Sequence, residues 1–168
     1  MRILGIDPGL QKTGWGIIES HGNRLSFIAC GRVTTPAGLP LYVRLAAIDE
    51  GLVSVIREWG PQVAAIEETF VNRNPASALK LGQARGAGIV AAARAGLEVH
   101  EYSANLVKKS VVGTGHAQKD QVGMMIRTLL PASGRVGADE ADALAIAICH
   151  AHHAGTALKR KILAEAAL

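Results

Sequence analysis

Four acidic residues, Asp7, Glu67, Asp139 and Asp142, stand where separated segments of the chain could bring their side chains together. Asp7 closes the apolar run Arg2–Asp7 just before Pro8-Gly9, and Glu67 closes a second one, Val63–Glu67. Asp139 and Asp142 are three residues apart in a segment of helical pattern, so both project from one face and can chelate together. The rest of that segment (Ala141, Ala143, Leu144, Ala145, Ile146, Ala147, Ile148) is almost wholly apolar and must pack against something. Carboxylates at its buried end need a partner, because burying them unpaired is costly. No nearby run of Arg or Lys neutralises all four, and a cation does so more simply. Oxygen-only ligation, without Cys or His, favours hard ions such as Mg²⁺ or Mn²⁺. Two such ions about 4 Å apart activate an attacking water and stabilise the leaving oxygen in phosphodiester cleavage. Singly, Asp7 reads as a turn residue and Asp139 as a helix cap; the set of four is what argues for a metal site.

The elements that must position these acids follow from hydrophobic period and turn chemistry. Arg2–Asp7 reads as a buried strand ended by Asp-Pro-Gly, and Gly14–Glu19 and Leu25–Val33 as two more. His21-Gly22-Asn23 supplies the turn between them, so the three form an antiparallel meander. Leu41, Leu45, Ile48, Leu52, Val55 and Trp59 then recur at spacings of four and three, an amphipathic helix from Pro40 to Trp59 stopped by Gly60-Pro61. Val63–Glu67 is a strand, and Pro75 opens a helix to Ala95 that is rich in small residues. Gly82 and Gly86 lie one above the other on it and allow close approach, a pattern that more often serves packing within a chain than a subunit contact; the Pro75–Ala95 helix is the candidate dimer surface. Leu97–Tyr102 is a fifth strand, followed by helices over Ser103–Val112, Gln118–Leu130 and Ala138–His153. This order implies one α/β domain, a five-stranded mixed sheet covered by helices. The helix crossover makes the strands of Asp7 and Glu67 parallel neighbours, with both acids at the carboxyl edge where ligands collect.

Composition sets the class. With 168 residues and 49% hydrophobic content the chain suits one globular domain with a sizeable core. No run approaches the ~20 apolar residues of a membrane span, and Met1–Asp7 does not read as a signal peptide, so the expected compartment is the cytoplasm. Cys30 and Cys149, far apart in sequence, make no disulfide framework or metal-binding pair. Of the net charge of +4, the stretch Val71–Arg127 alone carries eight basic and three acidic residues, a net of +5, leaving −1 for the rest. Such asymmetry points to a polyanionic partner on one side; the alternative is a set of solvated helix faces.

Ile6-Asp7-Pro8-Gly9 with Thr13-Gly14-Trp15-Gly16, Ala65-Ile66-Glu67 with Phe70, Ser77–Gly86 (Ser-Ala-Leu-Lys-Leu-Gly-Gln-Ala-Arg-Gly), Val107-Lys108-Lys109 and Ala138–Ala147 (Ala-Asp-Glu-Ala-Asp-Ala-Leu-Ala-Ile-Ala) together resemble the RuvC family of bacterial Holliday-junction resolvases, from Met1 to about His153. The Asp-Pro-Gly element alone is weak; the Gln-Ala-Arg-Gly and Asp-Ala-Leu-Ala-Ile-Ala helices are specific. The resemblance implies an RNase H-like fold with helices on both sheet faces over residues 1–155; the end, with Lys159-Arg160-Lys161 and then alanines, reads by itself as a C-terminal extension or flexible tail over 156–168. The resemblance also implies a homodimer making two symmetric nicks at a four-way DNA junction, two Mg²⁺ per site with Mn²⁺ able to substitute, products with a 5′-phosphate and a 3′-hydroxyl, and cooperation with the RuvA–RuvB branch-migration machinery. The metal-binding acids would be Asp7, Glu67, Asp139 and Asp142. Phe70 matches the aromatic pressed against unstacked bases, a contact worth roughly 1–3 kcal/mol per base. Lys108 and Lys119 match the basic residues beside the scissile phosphate, Lys119 counting among the catalytic set. Arg73, Lys80, Arg85 and Lys109 are the further DNA contacts expected from the basic stretch. Adjacent strand residues face opposite ways, so only one of Glu67 and Glu68 reaches the metals; the spacing to Phe70 selects Glu67.

Weaker signals have blander readings. His150 and His153 lie about 12–16 Å along a helix from Asp142 and cannot share its ion; with Cys149 and His152 they read as imidazoles at a helix C-terminus. Trp15 and Trp59 read as core, and His116 as a loop residue between basic helices. Two rivals remain at this level. Asp-Pro-Gly followed by Thr-Gly-Trp-Gly also resembles the phosphate loop of sugar-kinase and actin-like ATPases, which need two such halves around a nucleotide. A non-catalytic junction-binding module would need the basic surface but not four converging acids.

Overall fold

The computed structural model describes residues 1–68, 74–115 and 118–165, with side chains for all of these except Lys119 and residues 156–165. In chain order the elements are strands β1 (Arg2–Asp7), β2 (Lys12–His21) and β3 (Arg24–Thr34), helix α1 (Leu41–Trp59), β4 (Val63–Glu67), α2 (Pro75–Arg94), β5 (Glu98–Tyr102), α3 (Ala104–Val112), α4 (Lys119–Leu129), a short 3₁₀ turn Pro131–Ser133, and α5 (Ala138–Glu165). The sheet order is β3-β2-β1-β4-β5. β1–β2 and β2–β3 pair antiparallel, as the meander predicts, and β1–β4 and β4–β5 pair parallel. The strands of the meander are longer than their sequence pattern shows, since its turn narrows to Gly22-Asn23, with Gly22 in the left-handed region at φ 61°.

Local signals fix the helix ends. Gly60, at φ 55°, closes α1 and donates its N–H to Ile56 O. Asn74 caps α2 by accepting from Ala76 N at 3.1 Å and Ser77 N at 3.2 Å, with Pro75 in the first turn. Ser103 caps α3, which ends on Gly113 at φ 85°.

Strand alternation divides the core. Ile3, Ile18, Val63 and Ala65 point to the face covered by α3, α4 and α5, whereas Leu4, Ile6, Ile17, Ala64 and Ile66 point to α1 and α2. Trp15 and Trp59 pack, partly buried, against the second cluster. α5 lies flat on β1 and β2, with Leu144 and Ile146 fully buried.

His150, His152 and His153 do not stand at a helix C-terminus, because α5 does not end at His153 but continues to Glu165. His150 is instead a core residue, 4% exposed, whose Nδ1 bonds Tyr102 Oη of β5 at 2.9 Å, with the His100 ring 4.5 Å away. Burial, and then the neighbouring His100, lower its pKa to about 4. The unfolded chain therefore takes up this proton before the folded one does. The stabilising effect of a neutral His150 is fully present above about pH 6.5 and is lost as pH falls toward 4. The expected loss over that window is up to about 3 kcal/mol. Urea unfolding at pH 7 and pH 4.5 measures it. His150→Gln should flatten the slope, and an unchanged slope would refute the assignment.

Candidate active site

In β1, Ile3, Gly5 and Asp7 share the face toward α5, and in β4 Val63, Ala65 and Glu67 share the same face by the same alternation. The parallel register pairs Gly5 with Ala65 and Ile6 with Ile66, so Asp7 and Glu67 come next, side by side at the carboxyl edge. Glu68 follows the last residue of β4 and does not line the cavity that Glu67 lines.

α5 delivers the other two acids because glycines let it close on the sheet. A Cβ on Gly5 would lie 2.0 Å from Ala143 O, one on Gly14 2.2 Å from Asp139 O, and one on Gly16 2.7 Å from Leu144 Cδ2. Gly5 and Gly16 are cross-strand partners, and Gly14 is opposite Asp7. The result is a cavity of about 280 Å³ lined by Asp7, Glu67, Asp139 and Asp142, with Lys108 of α3 and the apolar Val107, Val122 and Ala145 in its wall. The donor set is hard oxygen throughout, which suits a divalent cation of the Mg²⁺ or Mn²⁺ type. Among the described residues no three Asp, Glu, His or Cys side chains close into a ready ligand cluster. Arg32 of β3 stands on the outer side of this group, with Nη1 3.9 Å from Asp139 Oδ2 and Nε 3.9 Å from Glu140 Oε1. At that distance and half-exposed, it is a weak pair that leaves Asp139 its role.

The expected DNA contacts are placed unevenly. Lys108 is half-buried in the acid cavity, Lys109 is exposed on α3 outside it, and Lys80 is exposed beside a groove that also includes Asp139. Arg85 has a different setting. Its Nε donates to Glu67 O at 3.0 Å and its guanidinium pairs with Glu101, so it bridges the end of β4 to β5. Phe70 and Arg73, like His116, lie outside the described residues. Lys119 opens α4, and its side chain is likewise not described.

Sequence reasoning did not single out Arg32, Lys12 or Arg44, nor Arg127 and Arg135, which line a cavity of about 340 Å³ that has Asp142 in common with the acid site. Arg44 had a readable signal, since it falls three residues after Leu41 and four before Ile48, a cation on the apolar stripe of α1. The others become meaningful only once the sheet order is known.

A family model described as crossover junction endodeoxyribonuclease RuvC matches residues 3–150. Proteins of that description from Methylocella silvestris and Rhodopseudomonas palustris are 62% identical over 151 residues and 57% identical over 161, covering 90% and 96% of this chain and 86% and 92% of their own length. Among solved structures, Thermus thermophilus RuvC in complex with Holliday junction substrate superposes with a TM-score of 0.86 at 34% identity, covering 94% of this chain and 96% of that one. The sheet is thus the RNase H-like one, with helices on both faces. A family match along almost the whole described chain, carried by relatives more than half identical to it, makes this protein a member of the crossover junction endodeoxyribonuclease RuvC family.

Proposed function

We infer that this chain is a structure-specific endonuclease that resolves Holliday junctions by paired, symmetric nicks in DNA recombination and repair. The observation that carries the reading is four carboxylates on one cavity with Lys108, at the carboxyl edge of β1 and β4. The T. thermophilus relative, solved with a Holliday junction substrate, supports the choice of substrate.

Asp7, Glu67, Asp139 and Asp142 would hold two Mg²⁺, with Mn²⁺ able to substitute. Bound there, such ions supply an activated water and charge stabilisation at the phosphate. The water oxygen adds to phosphorus as the P–O3′ bond breaks, leaving a 5′-phosphate and, after proton uptake, a 3′-hydroxyl. Lys108, in the same cavity, neutralises charge developing on the phosphate oxygens, and Lys119 takes the same part by family resemblance. Phe70 would stack on an unstacked base near the cut, with Arg73, Lys80 and Lys109 holding backbone phosphates.

A homodimer is supported by the outer face of α2. Leu79 and Val90 are 66% and 50% exposed there, and a Cβ on Gly82 or Gly86 would meet nothing within 4 Å. These four residues form one stripe that a second copy of the chain would cover, giving each nicked strand its own site. Residues 1–155 would be the nuclease domain and 156–168 an extension of it. No described helix is long and apolar enough to cross a membrane; we place the enzyme in the cytoplasm, working with RuvA–RuvB.

The test is Mg²⁺-dependent cleavage of a synthetic four-way junction. Symmetric nicks in strands of like polarity are expected, and equal cleavage of linear duplex by the same preparation would overturn junction specificity. Arg85 enters as a positioning residue through its bond to the Glu67 carbonyl. Arg85→Ala should raise the Mg²⁺ concentration for half-maximal nicking roughly tenfold, about 1.4 kcal/mol, with junction binding in Ca²⁺ within threefold of wild type. Arg85→Lys should recover part of the loss. Weakened binding at unchanged Mg²⁺ demand would instead make Arg85 a DNA contact.

A further inference from the structure

Arg44 is 8% exposed on the apolar side of α1. Its Nε donates to Thr35 Oγ1 at 3.0 Å and its Nη2 to Leu10 O at 3.0 Å. Both acceptors are neutral, and no ion pair within the described residues includes Arg44. A buried guanidinium without an opposing charge is costly, because hydrogen bonds to neutral groups return only part of its lost hydration. The cost falls if an anion comes to it.

The space beside Arg44 suits one. It contributes to the wall of a groove of about 530 Å³, together with Lys12 of β2, Ser77 and Lys80 of α2, and Asp139. Asp139 is also in the acid cavity, so the groove opens directly onto it. Lys12, Ser77 and Lys80 are exposed at its rim, and among the described residues Arg44 is its one buried charged base. Among those residues three cations and a hydroxyl line it with one acid, which belongs to the proposed metal set. A planar fork of donors at the base with mobile ammonium groups above it matches a tetrahedral oxyanion.

We propose that this groove is a phosphate subsite of the nuclease, holding a backbone phosphate of the cleaved strand next to the scissile one. Arg44 grips it from below, and Lys12 and Lys80 close on it from the rim. Through Leu10 O, which Thr35 Oγ1 also bonds, Arg44 helps to hold the 8–11 loop that follows Asp7, so the subsite is tied to the chain beside the acid cavity. The proposal rests on the nuclease reading above and refines where its substrate lies.

The test measures binding of the full-length protein to a four-way junction in Ca²⁺ over a series of salt concentrations, with nicking in Mg²⁺ as a separate readout. Lys12→Ala with Lys80→Ala should weaken binding at least tenfold at 150 mM salt and make the log–log salt slope shallower by about one to two. Arg57→Ala, on the last turn of α1 and away from the groove, removes one charge without that effect. Arg44→Gln should reduce the slope by about one, whereas Arg44→Lys, which keeps the charge, should not. Placing a neutral methylphosphonate one nucleotide to either side of the cut supplies a further readout. On one of these two junctions, the Lys12→Ala/Lys80→Ala protein should bind as well as wild type does. If that protein binds the unmodified junction with wild-type affinity and slope, or its deficit persists on both modified junctions, the subsite is wrong, even where wild-type nicking upholds the nuclease. Equal slopes for Arg44→Gln and Arg44→Lys would remove Arg44 from it. Should Arg44→Gln fail to fold, the two surface lysines still decide the matter.

Discussion

Asp7→Asn is expected to reduce junction nicking by at least roughly 10³-fold, about 4 kcal/mol of transition-state stabilisation, while junction binding in Ca²⁺ stays within about threefold of wild type. Asparagine keeps the shape of aspartate and one carbonyl oxygen, but it loses the charge and the second ligand oxygen. Asp7 sits between the two halves of the site, next to Glu67 across the parallel β1–β4 pair and opposite Gly14, against which the first turn of α5 packs. It is therefore the acid best placed to act with either half of the proposed ligand set, and its loss should weaken the hold on a divalent cation. Binding has a different origin, since backbone contacts to lysine and arginine dominate affinity for DNA. Asp7→Asn removes none of those cations. The same separation should hold for Glu67→Gln and Asp142→Asn. Asp139→Asn also releases Arg32, so a modest change in salt dependence is expected there as well. A rate for Asp7→Asn within tenfold of wild type would sink the metal-acid assignment.

Much of this was legible in the sequence because the relevant signals are local. Gly60, Pro75 and Gly113 stop or start helices where the chain reads that way, and the period of α1 is visible from Leu41 to Trp59. The acids could be located because strand ends and a three-residue helical spacing are also local facts. What the residues alone did not contain was the reason α5 approaches so closely, since Gly5, Gly14 and Gly16 read as ordinary strand glycines until the sheet order sets them under one helix. Arg85 shows what local signals leave out. A basic residue in a basic stretch looks like a DNA contact, and only tertiary structure puts the Glu67 carbonyl and Glu101 within its reach. The His150 cluster was misread for want of the helix length, because an imidazole at a helix end and one in mid-helix against β5 share the same flanking residues.

Gly14→Ala is expected to damage both the fold and the site with a single methyl group. Its Cβ would stand 2.2 Å from Asp139 O and 2.7 Å from Asp139 C, both backbone atoms that no rotamer change can move aside. Either β2 drops away from β1, breaking the pairing of Gly14 with Asp7, or the first turn of α5 lifts. Overpacking of this kind costs about 1–3 kcal/mol when neighbours can shift, and more when they are backbone. We expect at least about 3 kcal/mol, read as a lower urea midpoint. The surviving folded protein should also be impaired, because an ångström of misplacement at Asp139 is worth about 10²-fold in rate. Gly123→Ala on α4 is the counterpart. Nothing lies within 4 Å of its Cβ, and replacing a helical glycine should stabilise by up to about 1 kcal/mol. Added Mn²⁺ separates the two effects, since it can restore rate by tighter ligation but leaves the metal-free unfolding midpoint where it was. Wild-type stability and rate in Gly14→Ala would mean that α5 does not depend on bare backbone to bring Asp139 and Asp142 to Asp7.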